Sequence, residues 1–367
     1  IIDLNAYAKN LIAVRARIPK ECGIVAVVKA DAYGHGAVEV ARKAVAEGAK
    51  MIAVATVPEV LELRAAGISA PILVLVQPQE DALSAAIDAD ARLMISDVRT
   101  AERLGDLARR ANRVVQVHCK IDTGMSRQGF SAETAVKDML YLTRISHVDI
   151  EGVATHFSVA DVSRDPFTAN QLRVFKNVLR LLDKDGIPYE MAHAANSGGV
   201  VNHEGAAFDM VRVGIMTYGV WPSDSPPVSQ VLSPVLRWES SVILVKNLEK
   251  GSSIGYGRTF TANEPLRTAI VPVGYADGYP LSLTNRASVL IRGKRCPVRG
   301  RVSMDQIIVD VSGVPQVEVG DSVTLIGSDG AESITVAELA ERAGTIPYEI
   351  FTGIGKRVLR EYIGAVR

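Results

Sequence analysis

A lysine stands at the end of the first strongly apolar segment of the sequence. Lys29 closes the run of residues 24–29, where an amine is poorly solvated and its pKa is lowered. A lysine of lowered pKa is the amine type that forms a Schiff base with a carbonyl compound. A lone lysine at a strand end more often extends its side chain toward solvent, so its chemistry depends on which residues accompany it.

Three further apolar segments end in basic residues. Lys120 and Arg127 follow one of them, His156 ends the next, and Arg212 lies near the end of another. Taken singly, His156 also fits a core histidine and Arg212 a salt-bridge partner. Taken with Lys29, they predict a positively charged site that holds an anionic ligand.

Residues 196–199 read Asn-Ser-Gly-Gly and are suited to binding a phosphate. Ser197 offers a hydroxyl, and the glycines offer accessible backbone N–H groups at a predicted helix start. The alternative is that Ser197 is only a helix N-cap. An amine nucleophile, a phosphate cradle and several cations together favour a phosphorylated carbonyl cofactor attached to Lys29, namely pyridoxal 5'-phosphate.

The alternation of elements between residues 23 and 216 predicts how these residues are positioned. Apolar runs rich in β-branched residues predict strands at 24–29, 51–55, 72–76, 93–95, 114–121, 150–156, 190–193 and 210–213. Amphipathic stretches predict helices at 37–47, 58–66, 99–110, 132–143 and 171–184. Continuous apolar strands are typical of a parallel sheet covered by helices. About eight such units favour a (β/α)8 TIM-type barrel over a doubly wound open sheet, and the carboxyl ends of barrel strands meet at one mouth.

The pattern changes at residues 221–236, where Pro222, Pro226, Pro227 and Pro234 interrupt regular structure. Beyond them, turn signals and glycines separate strand-like runs. The predicted strands are 241–246, 268–272, 288–291, 307–311 and 322–326, followed by a helix at 334–343. We therefore predict a barrel domain at residues 1–231 and a mainly β domain at residues 232–367.

Composition excludes several classes of protein. The 367 residues carry 41 basic and 41 acidic side chains, without the basic surface expected of a nucleic-acid-binding protein. No apolar run reaches the roughly 20 residues of a membrane helix. The three cysteines form no CxxC pair, so neither disulfides nor a metal site is predicted. The N-terminal residues do not resemble a signal peptide, which favours a cytoplasmic enzyme.

Residues 26–36 resemble the pyridoxal-phosphate attachment motif of the alanine racemase family, with Lys29 as the attachment lysine. The similarity continues in order through residues 118–127, 193–199, 210–219, 253–259, 272–280, 300–306 and 347–349. Members of this family combine a pyridoxal-phosphate barrel with a β domain. They work as head-to-tail homodimers with shared active sites.

The resemblance implies two bases that act on opposite faces of the substrate α-carbon. Lys29 would serve one face, and Tyr256 would serve the other face in the partner subunit's site. Arg212 would face the pyridine nitrogen of the cofactor. His156 would bridge Arg212 and the catalytic tyrosine.

The resemblance also implies the binding residues. The phosphate would be contacted by Tyr33, Ser197, Gly214, Ile215 and Tyr348, with Asn196 in the same cofactor-binding set. Arg127 would bind the substrate carboxylate together with the backbone N–H of Met304 from the second subunit, and Tyr275 and Tyr348 would narrow the entrance. Lys120 would hold Arg127 and is often a carbamate in the family; an unmodified lysine or a bound anion is the alternative.

The reaction implied is the interconversion of L- and D-alanine, which supplies D-alanine for peptidoglycan. A broad-specificity racemase of serine, lysine or arginine is the alternative, because Leu281 stands where the family usually has arginine. Ser126 and Gln128 also depart from the usual motif. A pyridoxal-phosphate decarboxylase is disfavoured by Arg212, and a silent cofactor carrier by Tyr256 and the extra β domain.

Overall fold

The computed structural model describes residues 1–223 and 231–366. Contacts divide the chain into a barrel unit, formed by Asn5–Ala32 and Ala37–Ser233, and a β unit. The β unit contains Pro234–Gly364 and also two early segments, Ile1–Leu4 and Tyr33–Gly36. The single boundary after residue 231 stays a prediction, and Pro226 and Pro227 lie outside the described residues.

The barrel unit contains a closed parallel sheet of eight strands. In spatial order the neighbours are β4-β3-β2-β1-β8-β7-β6-β5, and the pairing of β4 with β5 closes the ring. The strands are β1 (Gly23–Val27), β2 (Met51–Val54), β3 (Ile72–Val74), β4 (Arg92–Ile95), β5 (Val115–Asp122), β6 (Val148–Ala154), β7 (Met191–His193) and β8 (Met210–Val213). Closure confirms the predicted (β/α)8 barrel and excludes the open sheet.

Helices alternate with these strands along the chain. They are α1 (Leu4–Arg15), α2 (Ala37–Ala46), α3 (Val57–Ala65), α4 (Leu83–Asp88), α5 (Val98–Ala111), α6 (Ala135–Leu142), α7 (Phe167–Lys184) and α8 (Ser197–Asn202). Local sequence fixes their ends: Asp97 caps α5 by accepting the Thr100 N–H at 2.8 Å, and Asn112 ends it with φ +52°. Among the described residues, no helix is both long and apolar enough to cross a membrane.

The β unit is built mainly from antiparallel strands. Its strands of three or more residues are β9 (Trp238–Ser241), β10 (Leu244–Leu248), β11 (Leu266–Val271), β12 (Ser288–Ile291), β13 (Lys294–Pro297), β14 (Ile307–Asp310), β15 (Ser322–Asp329) and β16 (Glu332–Ile334). One sheet has the order β9-β15-β12-β13, with β16 paired to β15, and a second has the order β10-β11-β14. Two helices follow, α9 (Val336–Ala343) and α10 (Pro347–Gly353).

The predicted single strand at residues 241–246 is wrong, because the chain changes sheets there. The Val242 N–H donates to the Asp321 carbonyl beside one sheet, and the Ile243 N–H donates to the Ile270 carbonyl of the other. The apolar run is therefore divided between β9 and β10. A continuous run of β-formers gives no signal for such a change of partner.

Candidate active site

Lys29 begins a left-handed turn and is not the last residue of the first strand. β1 ends two residues earlier, at Val27, and residues 30–33 all have φ between +52° and +55°. Each left-handed non-glycine residue costs about 1–2 kcal/mol, so the surroundings must hold this turn in place. Burial, followed by repulsion from Arg127, lowers the pKa of the Lys29 amine.

Glu59 holds the start of this turn. Its carboxylate accepts the backbone N–H of Ala30 at 2.6 Å, and its other oxygen accepts those of Ala55 at 2.7 Å and Thr56 at 3.0 Å. Thr56 and Glu59 also form the capping box of α3. Glu59 was not among the predicted site residues, although the Thr-x-x-Glu spacing of Thr56 and Glu59 is a recognisable signal.

Arg360 holds the end of the turn within the β unit. Its Nε and Nη2 donate to the Gly34 carbonyl at 3.1 and 3.0 Å, and Nη2 also donates to Ile354 at 2.7 Å. Gly34 has φ +78°, and a Cβ atom there would overlap the Phe351 carbonyl oxygen. Only glycine fits this position without moving the backbone.

We expect Gly34→Ala to lower the free energy of unfolding by about 2–4 kcal/mol, because it combines a left-handed alanine with a clash against main chain. Gly67 provides a matched control, since it has φ +83° and a Cβ atom added there would have no other atom within 4 Å. Gly67→Ala should cost about 1 kcal/mol. Urea unfolding measures both variants, and equal losses would show that the contact with Phe351 does not constrain the turn.

Arg212 lies buried near the mouth and is surrounded by acceptors. Nη1 donates to His193 Nδ1 at 2.6 Å and to the His193 carbonyl at 3.0 Å. Nη2 donates to the carbonyls of Thr155 at 2.6 Å and Ala194 at 3.0 Å and to His156 Nδ1 at 3.2 Å. Burial lowers the pKa of Arg212 to about 10. Among the described residues no carboxylate pairs with it, and no hydrogen bond uses its Nε.

The contact with Arg212 determines the proton position on His156, which lies two residues beyond the end of β6. A guanidinium can only donate, so His156 Nδ1 must accept and the proton of the neutral ring lies on Nε2. Burial, followed by the charges of Arg212 and Lys120, holds the pKa of His156 well below its ordinary value. His156 is therefore a neutral donor through Nε2.

The predicted phosphate-binding residues of the barrel lie together. Asn196 caps α8 by accepting the Gly199 N–H at 2.9 Å, so the alternative that Ser197 is the N-cap is wrong. Ser197 Oγ instead accepts the Gly214 N–H at 3.0 Å. Ile215 follows at the start of a buried 3-10 turn, Ile215–Tyr218. Two chain segments thus present a hydroxyl and backbone N–H groups side by side.

Lys120 and Arg127 add positive charge at the same end of the barrel. Lys120 is buried on β5, and burial together with Arg127 and Arg212 lowers its pKa to about 8. Asp122 shapes the following loop by accepting the backbone N–H groups of Gly124 and Ser126. Ser126 has φ +56°, which explains why glycine suits this position. Neither cation forms an ion pair with a carboxylate in the part of the chain that the structure describes.

The lowered pKa of Lys120 predicts a pH-dependent reaction with carbon dioxide. Only a neutral amine forms a carbamate, and with a pKa of about 8 the neutral fraction rises from about a tenth near pH 7 to about nine tenths near pH 9. At fixed CO₂ pressure, the ¹³C carbamate signal should grow across this range. Persistence of the signal in Lys120→Arg, or its independence of pH, would contradict the assignment.

The β unit contains the remaining predicted site residues. Tyr256 lies on a tight turn between Gly255 and Gly257, which have φ +69° and +72°, and its side chain is 72% exposed. Backbone hydrogen bonds from Tyr275 to Ser303 and from Ala276 to Met304, both 3.1 Å, bring Tyr275 and Met304 together. The rings of Tyr33 and Tyr348 lie 5.9 Å apart.

The donor set of the barrel mouth fits pyridoxal phosphate. Lys29 supplies an amine of lowered pKa, Ser197 and Gly214 supply phosphate-type donors, and Arg212 supplies a buried cation without an acidic partner among the described residues. An anionic carbonyl compound would balance this charge and use these donors.

A closed barrel with a cationic mouth, followed by a β unit, defines a class of two-unit (β/α)8 enzymes. The family model of the alanine racemase N-terminal domain matches residues 2–222, and that of the alanine racemase C-terminal domain matches residues 235–362. The chain therefore belongs to the alanine racemase family and is an isomerase.

Full-length similarity supports this membership. An alanine racemase of Symbiobacterium thermophilum is 46% identical over 363 residues, covering 99% of this chain and 96% of the relative. That of Halothermothrix orenii is 42% identical, covering 98% and 95%. The alanine racemase structure of Clostridium difficile 630 superimposes with TM-score 0.95 at 34% identity, covering 100% and 96%. A Bartonella henselae alanine racemase with covalently bound pyridoxal phosphate gives TM-score 0.88 at 29% identity, covering 99% and 98%.

Proposed function

We propose that this chain interconverts L- and D-alanine with pyridoxal 5'-phosphate attached to Lys29. One observation carries the proposal: a set of cationic side chains gathers at one barrel mouth, and among the described residues none of them forms an ion pair with a carboxylate. They are Lys29, Lys120, Arg127 and Arg212. Such a site requires an anionic ligand, and the Lys29 amine of lowered pKa is the group that would attach a carbonyl. The alanine racemase names of the relatives support alanine as the substrate.

Pyridoxal phosphate, when bound, supplies the electron withdrawal that acidifies the substrate α-carbon. Arg212 controls the extent of this withdrawal, because arginine stays charged and does not give up its proton to the pyridine nitrogen. A carboxylic acid in its place would donate a proton and strengthen the withdrawal. Arg212 therefore favours prompt return of a proton to the α-carbon over competing reactions.

Racemisation needs one proton-transfer group on each face of the α-carbon. The neutral Lys29 Nζ accepts or returns the proton on one face. Tyr256 Oη does so on the opposite face and must reach the phenolate form, although a tyrosine ordinarily titrates near 10. The Nε2–H of His156, fixed by Arg212, would donate to this oxygen and stabilise its negative charge. Two different groups can then alternate as acid and base.

Tyr256 would act in the site of a second copy. Its side chain is 72% exposed within its own chain, so it is available to a partner. Exposed apolar or aromatic side chains of the β unit also include Tyr275, Leu281, Met304 and Tyr348. Aromatic residues and methionine are enriched at protein–protein interfaces, and a symmetric pair would complete two identical sites. We therefore infer a head-to-tail homodimer.

Substrate binding would depend on positive charge facing the substrate carboxylate and on a small substrate side chain. Arg127 would bind the carboxylate, with the Met304 N–H of the partner as a second donor. Leu281 is 41% exposed in a 3-10 turn of the β unit. Because the family usually has arginine at this position, the entrance here would lack that charge. The predicted role is that of a cytoplasmic enzyme that supplies D-alanine for peptidoglycan.

Racemisation rates across an amino-acid panel test the proposal. Purified protein incubated with L-alanine should form D-alanine, and prior borohydride reduction of the attached cofactor should abolish the activity. We expect kcat/KM for alanine to exceed that for serine, lysine and arginine. Faster turnover of lysine or arginine would instead favour the broad-specificity racemase, and CO₂ release from ornithine, arginine or diaminopimelate would favour a decarboxylase.

A further inference from the structure

Three consecutive hydrogen bonds connect Arg212 to a carboxylate inside the barrel. His193 Nδ1 accepts from Arg212 at 2.6 Å, His193 Nε2 lies 2.7 Å from His118 Nδ1, and His118 Nε2 lies 2.8 Å from Glu151 Oε2. Both histidines are 0% exposed and Glu151 is 8% exposed. We name these four residues the arginine–histidine–glutamate chain. It extends inward from the mouth and uses β5, β6, β7 and β8.

The two ends of this chain fix every proton in it. Arg212 can only donate, so His193 Nδ1 accepts and the single proton of neutral His193 lies on Nε2. That proton is donated to His118 Nδ1, and the proton of His118 therefore lies on Nε2 and is donated to Glu151. A reversal at either histidine would place two donors, or two acceptors, face to face. A single tautomer at each histidine therefore satisfies all of these atoms.

The surroundings of the arginine–histidine–glutamate chain determine the charge of each of its members. Burial lowers the pKa of both His118 and His193, and Arg212 lowers that of His193 further. Burial alone would raise the pKa of Glu151, but the hydrogen bond from His118 and the charge of Arg92 lower it. The histidines are therefore neutral and Glu151 is ionised.

The barrel is shaped to accept this chain. Gly152, next to Glu151, faces His118 so closely that a Cβ atom there would overlap His118 Nδ1. At the far end, Arg92 Nε lies 3.4 Å from Glu151 Oε1, and its Nη1 lies 3.1 Å from the exposed Asp90 carboxylate. Arg92 begins β4, so the connection reaches the end of the barrel opposite the mouth. A buried polar network that is fully satisfied in this way specifies one geometry.

We propose that Glu151 is a positioning residue for the reaction: through His118 and His193 it fixes the orientation of the Arg212 guanidinium that faces the cofactor ring. Within the described residues, its carboxylate is the negative charge linked to Arg212 by hydrogen bonds, and only neutral rings lie between them. The orientation of Arg212 is thus fixed by a residue inside the barrel and not by a group at the mouth. This inference rests on the proposed function only in assigning Arg212 to the cofactor.

The tautomers of His118 and His193 test the proton positions in the arginine–histidine–glutamate chain directly. Protein labelled with ¹⁵N-histidine is examined by NMR as holoenzyme and without cofactor, and signals are assigned by their loss in His118→Asn and His193→Asn. We expect His118 and His193 to be neutral, each with a bare Nδ1 and a protonated Nε2, in both forms. A protonated Nδ1 at either residue would overturn the proposal.

Glu151→Gln tests the positioning role, because it keeps the shape of the side chain and removes its charge. We expect kcat to fall about 10- to 100-fold, the range typical of outer partners that orient the ligands of a site, with a smaller change in KM. The visible absorption band of the bound cofactor should shift, while both histidines keep their tautomers, because the Gln oxygen still accepts from His118 and Arg212 still donates to His193. An unshifted band with an unchanged kcat would overturn the proposal.

A second variant separates positioning from stability. Phe175 is fully buried in α7 and packs against Phe208, and neither residue belongs to the arginine–histidine–glutamate chain. Phe175→Leu should therefore lower the unfolding temperature without moving the absorption band of the cofactor. A similar shift in Phe175→Leu would assign the effect to general loosening and overturn the proposal. If the wild-type protein shows the expected tautomers but racemises no amino acid, the proposed function fails while the arrangement of the chain stands.

Discussion

Lys29→Ala should lower the rate of alanine racemisation by a factor of about 10⁴ or more, because in the proposed mechanism one amine both attaches the cofactor and transfers a proton. The visible absorption of covalently attached cofactor should be lost at the same time. In the part of the chain that the structure describes, the Lys29 side chain makes no hydrogen bond, so the fold should survive the substitution. Chiral analysis of the product and an absorption spectrum measure the two effects.

Lys184→Ala is the matched control for this prediction. Lys184 is an exposed lysine at the end of α7, and its removal should change neither the spectrum nor the rate. Activity of Lys29→Ala within tenfold of the wild-type value would contradict the assignment of Lys29 as both attachment point and base.

Tyr256→Phe should lower racemisation by about 10²- to 10⁴-fold, the range for loss of a general acid or base. In contrast to Lys29→Ala, it should leave the absorption spectrum of the attached cofactor intact. In deuterated water, solvent exchange at the α-carbon should be lost for one alanine enantiomer and retained for the other, because Lys29 still serves its own face. Proton NMR of each enantiomer follows this exchange.

Tyr141→Phe is the control for the loss of a tyrosine hydroxyl. Tyr141 is also exposed, at 45%, and its hydroxyl donates to Glu102 at 2.7 Å in the barrel unit. Its substitution should leave both exchange rates unchanged. Unchanged racemisation by Tyr256→Phe would refute the two-base proposal.

The architecture was predictable because the hydrophobic pattern directly reflects burial. Apolar runs covered by amphipathic helices predicted the barrel, and most helix ends fell within a few residues of their predicted positions, as for α5. The helix Leu4–Arg15 was missed because the predicted alternation of elements begins only at residue 23. The division of residues 241–246 between β9 and β10 was not predictable, since sheet partners are chosen by tertiary packing.

Part of the candidate site could be proposed from residue types near the ends of predicted strands. Lys29, His156 and Arg212 were selected by position and residue type, and the structure places His156 and Arg212 in contact. The left-handed turn after Lys29 was not predicted, because Ala-Asp-Ala-Tyr carries no glycine signal until Gly34. Tyr256 was selected only by family resemblance, since a tyrosine between glycines commonly packs in a loop.

The arginine–histidine–glutamate chain illustrates what a sequence alone does not reveal. His118, Glu151, His193 and Arg212 lie on four different strands, and their contacts depend on the register of a closed sheet. His118 and Glu151 are 33 residues apart, and neither stands at a strand end that faces the mouth. Local patterns therefore gave no reason to connect them.

The measurement that tests the shared site most directly is complementation between two inactive variants. In the proposed homodimer, neither Lys29→Ala nor Tyr256→Phe can complete a site alone, but a mixed pair would contain one site with both Lys29 and Tyr256 intact. After unfolding and refolding of an equal mixture, we expect alanine racemisation to recover to about a quarter of the wild-type rate, because half of the random pairs are mixed and each has one intact site. No recovery in a mixture shown to contain mixed pairs would contradict a site completed by the partner subunit.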